Sequence, residues 1–179
     1  AAIKIATDMV KEKLITKEVA VGRVRPLQIY ESLLKNIVAE DLNNNTPVSS
    51  GLPAGPGASC GSAVFTAEKA EALGKKGKKV ILIREETSPE DIHGMHYSEG
   101  ILTSRGGLTS HAALVARGWG KSCVVGCQDL TIDKSHRFAK IADKKIKEGD
   151  QITLNGSSGD IYIGGLRLFQ NPLDNVGPL

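Results

Sequence analysis

Val80-Ile81-Leu82-Ile83 is an uninterrupted apolar run of one strand's length, and it constrains the fold of this chain more than any other stretch. A strand with one wet face alternates apolar and polar residues, so a run without alternation is suited to burial on both faces. Gly100-Ile101-Leu102-Thr103 and Ser122-Cys123-Val124-Val125 have the same character, and Ala63-Val64-Phe65 is a shorter strand signal. Helix signals fall between them. Thr66 stands where an N-cap belongs, before a segment that ends at Gly74. Ser88-Pro89-Glu90-Asp91 combines a cap serine, proline at the first helical position and acids in the first turn. Such alternation at short intervals makes the class α/β. The last third reads as β: Gln151-Ile152-Thr153-Leu154 and Asp160-Ile161-Tyr162-Ile163 flank the turn residues 155–159 as a hairpin.

Gly106-Gly107-Leu108-Thr109-Ser110-His111 joins one of these strands to a helical pattern that runs to Gly118. Glycine reaches positive φ cheaply, so the pair allows a sharp turn. Thr109 or Ser110 then supplies the oxygen that caps the helix, which places His111 in its first turn. Backbone N–H groups there lack an intrahelical acceptor and, with the helix dipole, form a seat for an anion, phosphate above all. A neutral imidazole beside such a cradle is what a phosphoryl-accepting group needs. The bland alternative is a histidine that is only a satisfied surface or core residue.

Bulk properties narrow the function. A net charge of +3 from 23 basic and 20 acidic residues is too balanced for a nucleic-acid or acidic-membrane partner. The basic run Lys75-Lys76-Gly77-Lys78-Lys79 reads as a solvated loop. Three cysteines at irregular spacing do not form a disulfide framework, so a reducing, intracellular compartment is expected, cytoplasm or an organelle such as plastid or glycosome. No run approaches a membrane span, and no signal-peptide pattern is present. His93 and His96 form an H-x-x-H pair without a third ligand at suitable spacing, so no metal is expected there. His136 stands in a charged loop without an evident role. The chain opens on Ala1-Ala2-Ile3 within a helical pattern, and a piece of something longer is expected.

Residues 103–121, Thr-Ser-Arg-Gly-Gly-Leu-Thr-Ser-His-Ala-Ala-Leu-Val-Ala-Arg-Gly-Trp-Gly-Lys, resemble the phosphohistidine signature of the pyruvate, phosphate dikinases, within the PEP-utilising enzymes. Gly51-Leu52-Pro53-Ala54-Gly55-Pro56-Gly57-Ala58 resembles that family's opening segment, and Glu86-Thr87-Ser88-Pro89-Glu90-Asp91-Ile92 with Gly94-Met95-His96 its second block. The resemblance implies a swivelling three-layer β/β/α phosphohistidine domain over residues 51–165. Residues 1–50, read as three short amphipathic helices, would be the linker from a nucleotide-binding domain, and 166–179 a C-terminal linker or tail.

The resemblance further implies that His111 carries the phosphoryl group as tele-phosphohistidine, between ATP and phosphate on one domain and pyruvate or phosphoenolpyruvate on another. Arg105, Gly106, Gly107, Thr109 and Ser110 would bind phosphate, although Arg105 is equally well a solvated loop arginine. Arg117 is assigned a structural or surface role. Thr109 matches the threonine that a regulatory protein phosphorylates in plant dikinases. Mg²⁺ would be held by the partner domains, since Glu85, Glu86, Glu90 and Asp91 read as helix-start and surface acids. The full-length enzyme is expected to be a homodimer. The alternatives are the equivalent carrier of a phosphoenolpyruvate synthase and a non-catalytic docking module. Residues 43–61 and 164–179 are the expected hinges.

Overall fold

A computed structural model describes residues 8, 9, 11, 12, 16 and 33–170. The three N-terminal helices expected over 1–50 fall almost wholly outside these residues. Asp8, Met9 and Lys11 are helical, with Glu12 N donating to the Asp8 carbonyl at 2.9 Å. One structural unit spans Asn36–Phe169. Its strands are β1 (Asn36–Ile37), β2 (Ser49–Ser50), β3 (Leu52–Gly55), β4 (Ala58–Val64), β5 (Val80–Arg84), β6 (Gly100–Thr103), β7 (Ser122–Val125), β8 (Leu130–Ile132), β9 (Phe138–Ile141), β10 (Lys144–Lys147), β11 (Gln151–Asn155), β12 (Asp160–Ile163) and β13 (Leu168–Phe169). Its helices are α1 (Ala39–Asn44), α2 (Ala67–Lys75), α3 (Ile92–Tyr97) and α4 (His111–Trp119), with a 3₁₀ turn over Pro89–Asp91.

The doubly buried run is where its pattern requires. β4, β5, β6 and β7 are parallel neighbours at the centre of an eight-stranded sheet ordered β2-β12-β11-β4-β5-β6-β7-β3. Val80 and Leu82 face a cluster that includes Ala70 of α2, Met95 of α3 and Ala112, Ala113 and Ala116 of α4. Ile81 and Ile83 face the opposite way, into a cluster with Leu130, Ala139, Ile141 and Ile146 from β8, β9 and β10. Those three strands form a separate antiparallel sheet. The main sheet therefore has helices on one face and a small sheet on the other. Each fully buried isoleucine or leucine contributes about 1.5–3 kcal/mol through its removal from water.

Both outer strands of the main sheet come from one segment. β2 pairs with β12 and β3 pairs with β7, and only Gly51 separates β2 from β3. The chain thus passes from one outer strand of the sheet to the other at Gly51. A Cβ at Gly51 would meet the Val125 carbonyl oxygen at 2.6 Å, so a side chain would push the two strands apart. The Gly/Pro-rich stretch expected to be a hinge is instead part of the sheet from Ser49 onward. Pro53 is tolerated because β3 is an outer strand with a register irregularity beside it.

Two further expectations change, and one sheet goes beyond them. α4 extends to Trp119, one residue beyond Gly118, and ends on Gly120 at φ 67°. The small sheet β8–β10 was not singled out by periodicity, because Lys140, Lys144, Lys145 and Lys147 make it read as surface charge. At the C-terminal end, Leu168–Phe169 pairs antiparallel with Asn36–Ile37. Beside that ribbon Arg167 bridges Asp41 and Glu40 at 2.6 and 2.7 Å, and its hydrogen bonds hold the Asp41 carboxyl below its ordinary pKa. Residues 171–179 lie outside the described residues.

Candidate functional site

The site is built where β5 and β6 end side by side. Their parallel register pairs Arg84 with Thr103, so the loops that follow leave the sheet together. Arg105 N donates to the Glu85 carbonyl at 2.9 Å, and Thr103 Oγ1 donates to the Arg105 carbonyl at 2.7 Å. The chain then turns at Gly106, whose φ of 99° disfavours a side chain and where a Cβ would sit 2.9 Å from Ser110 Cβ. Gly107 has open space around it.

Ser110 N closes the turn on the Gly107 carbonyl at 3.0 Å, and Ser110 Oγ accepts from Ala113 N at 3.4 Å. Ser110, not Thr109, is therefore the N-cap. Thr109 is exposed. His111 occupies the first helical position and is half-buried. Among the described residues the backbone N–H groups of Thr109, His111 and Ala112 have no protein acceptor. They are free to meet an anion in front of the helix.

The ring is held from the neighbouring loop. His111 Nδ1 lies 2.9 Å from Thr87 Oγ1, a hydrogen bond whose direction follows the ring tautomer. Thr87 is only 5% exposed, so its rotamer is fixed by packing. The segment that carries it is pinned as well. Ser88 N donates to Asp91 Oδ2 at 2.9 Å, Arg84 Nε stands 3.7 Å from the same oxygen, and Arg84 Nη1 donates to the Phe65 carbonyl at 3.2 Å. Nε2 of His111 has no protein partner among the described residues.

Gly106, Gly107, Thr109 and Ser110 form the turn that leads into His111, and Arg105 directly precedes it. Arg105 is exposed in a cleft of about 460 Å³ lined also by Arg84, Glu85, Glu86, Lys134 and His136, and His111 is not part of that lining. Arg117 instead reaches the site's backbone. Its Nη2 donates to the Leu108 carbonyl at 2.5 Å and its Nη1 to the Ala54 carbonyl at 3.5 Å. Leu108 and Leu114 flank the histidine and are 46% and 56% exposed.

Two residues had no assigned part in the sequence reading. Thr87 lies in the segment 86–92, but nothing in its spacing links it to a ring 24 positions away. The available signal was its place just after β5, the strand beside the one that leads to His111. His136 adopts φ 53° at the lip of the charged cleft. His96 packs edge-on against Tyr97 and Trp119, ring centres 5.2 Å away in each case. No group of three or more metal-ligating side chains occurs among the described residues. The three cysteines are free. Burial pushes the Cys123 thiol up to about 12 and raises that of Cys127, which makes both poor nucleophiles near neutral pH.

Comparison with known proteins follows the same residues. Residues 76–159 match the family of the PEP-utilising enzyme mobile domain. The chain is 50% identical over 163 residues to pyruvate, phosphate dikinase 1, chloroplastic, of Arabidopsis thaliana, which covers 91% of this chain and 17% of that protein. It is 47% identical over 167 residues to pyruvate, phosphate dikinase 2 of Oryza sativa subsp. japonica, at 93% and 19% coverage. The chloroplastic dikinase of Flaveria pringlei is 48% identical over 174 residues, at 97% and 18% coverage. This chain therefore spans less than a fifth of the length of these relatives. A solution structure of an Enzyme I protein aligns with 48% of this chain and 30% of its own at 25% identity, with a TM-score of 0.34. The chain is homologous to the PEP-utilising mobile domain, the phosphohistidine domain, of pyruvate, phosphate dikinases, and corresponds to a fragment of their length.

Proposed function

We propose, with that homology as the premise, that His111 Nε2 is the phosphoryl carrier of a pyruvate, phosphate dikinase. The observation that carries the reading is the 2.9 Å contact between Thr87 Oγ1 and His111 Nδ1. A neutral imidazole has one lone pair on nitrogen and one N–H. When Nδ1 carries the proton and donates it to Thr87 Oγ1, the lone pair stands on Nε2, and tele-phosphohistidine is the product.

Nε2 attacks the β-phosphorus of ATP, the bond from that phosphorus to the α–β bridging oxygen breaks, and AMP leaves. Orthophosphate takes the terminal phosphoryl group as diphosphate, leaving one phosphoryl group on Nε2. Pyruvate enolate oxygen then attacks that phosphorus, the P–N bond breaks, and phosphoenolpyruvate forms. The free N–H groups of Thr109, His111 and Ala112, with the turn at Gly106 and Gly107, support the seating of phosphoryl oxygens in front of α4. Arg105, exposed just before the turn, belongs to the same proposed phosphate-binding set as a charged donor to phosphoryl oxygens.

Mg²⁺, when bound by the partner domains, would supply charge neutralisation at the nucleotide and at the enolate. Those domains, which would hold ATP, phosphate and pyruvate, belong to the same longer chain, and the swivelling of this unit between them is part of the proposal, as are the homodimer and the domain limits 51–165. Exposed Thr109 is open to regulatory phosphorylation, which would place about −2 charge beside the seat and oppose phosphorylation of His111. Free thiols and chloroplastic relatives support a reducing compartment.

The test supplies labelled phosphoenolpyruvate to the full-length protein and to its His111→Asn variant. An acid-labile, alkali-stable label confined to the unsubstituted protein supports the carrier, and label retained by the variant refutes it. Production of diphosphate that depends on added orthophosphate separates a dikinase from a synthase that uses water.

A further inference from the structure

We infer that Arg117 is a positioning residue for phosphoryl transfer, acting on the phosphoryl seat through the Leu108–Thr109 peptide. The inference rests on His111 being the carrier. Arg117 lies six residues beyond His111, on a different side of α4, and its guanidinium turns toward the backbone before the helix. Nη2 donates to the Leu108 carbonyl at 2.5 Å, and Nη1 reaches the Ala54 carbonyl at 3.5 Å.

The Leu108 oxygen and the Thr109 N–H belong to the same peptide unit. A cation on that oxygen draws electron density along the amide and makes the N–H a stronger donor. Thr109 N–H is one of the three groups in the turn without an acceptor among the described residues. The charge of Arg117 is thereby delivered to the seat by a backbone dipole. A direct ion pair with the phosphoryl group would also tighten the resting phosphoenzyme, and uniform tightening lowers no barrier. A carrier that must give its group away is better served by the indirect route.

The second contact supplies the geometry. Ala54 is buried in β3, so the longer bond refers the turn to the main sheet. One planar guanidinium spans carbonyls from two elements, which a lysine ammonium, a single point of charge, does not do.

The experiment follows the rate of His111 labelling by phosphoenolpyruvate in the full-length protein and in Arg117→Ala and Arg117→Lys, with thermal melts alongside. Arg117→Ala is expected to label at least about tenfold more slowly while still folded. Free guanidinium at millimolar concentration should restore part of that rate and leave the unsubstituted protein unchanged. Arg117→Lys should recover little. A wild-type rate in either variant overturns the inference, as does a slow, folded Arg117→Ala that guanidinium does not improve. Should Arg117→Ala fail to fold, Arg117→Lys decides alone. Absence of label in the unsubstituted protein would defeat the carrier reading itself, a separate outcome.

Discussion

Thr87 Oγ1 meets His111 Nδ1 at 2.9 Å across the ends of two neighbouring parallel strands, β5 and β6. That contact decides which ring nitrogen is left open. It also ties the ring to a loop fixed by the Ser88–Asp91 bond, so the imidazole is aimed by the sheet rather than by its own helix alone.

Thr87→Val keeps the shape of the side chain and removes the hydroxyl. With no acceptor for Nδ1–H, the ring loses both its orientation and its tautomer preference. A net hydrogen bond is worth about 1 kcal/mol, which corresponds to labelling of His111 about fivefold slower. Single-turnover labelling of the full-length protein measures this, and an unchanged rate would remove Thr87 from the site.

Ser110→Ala removes the hydroxyl that accepts from Ala113 N and should cost about 1 kcal/mol of stability. Thr109→Ala, at an exposed hydroxyl without such a bond, should change stability by less than about 0.5 kcal/mol. Urea denaturation of the two variants checks the contrast, and equal losses would contradict the cap assignment.

Gly106→Ala places a Cβ at φ 99° and 2.9 Å from Ser110 Cβ, and should destabilise the protein by about 1–2 kcal/mol. Gly107→Ala meets nothing within 4 Å and has no positive φ, so its cost should be far smaller. Chemical melts of both variants distinguish the residue that the turn requires from the one it merely accommodates.

Cys123 has its pKa raised by burial from an ordinary 9.0 to about 12. Its neutral form is favoured by folding, so this contribution is fully present below pH 9.0 and is lost as pH rises toward 12. Cys123→Ala should reduce the alkaline decline in stability across that window, seen in melts at stepped pH. Alkylation at pH 8 should reach half-buried Cys60 first and Cys123 only on unfolding.

Local signals carried much of the fold. The runs at 80–83, 100–103 and 122–125 are buried parallel strands because an apolar run without alternation has no other place to go. The 151–163 hairpin and the start of α2 were also legible, since periodicity and capping are written within a few neighbouring residues, while the cap at Ser88 opens the 3₁₀ turn Pro89–Asp91 that precedes α3. The turn before His111 was legible for the same reason, but local chemistry left Thr109 and Ser110 equivalent as caps.

Contacts between distant segments were decided by the tertiary structure alone. Composition made 43–61 read as a hinge, whereas from Ser49 onward it supplies both outer strands of the main sheet, with close packing at Gly51 between them. Lysines masked β9 and β10, because a strand covered on one face leaves the other free to carry charge. The amino-acid sequence alone determined that a histidine stands at a glycine turn before a helix. Strand order then placed Thr87 against its Nδ1, since a pairing across 24 residues depends on which strands become neighbours and on no local propensity.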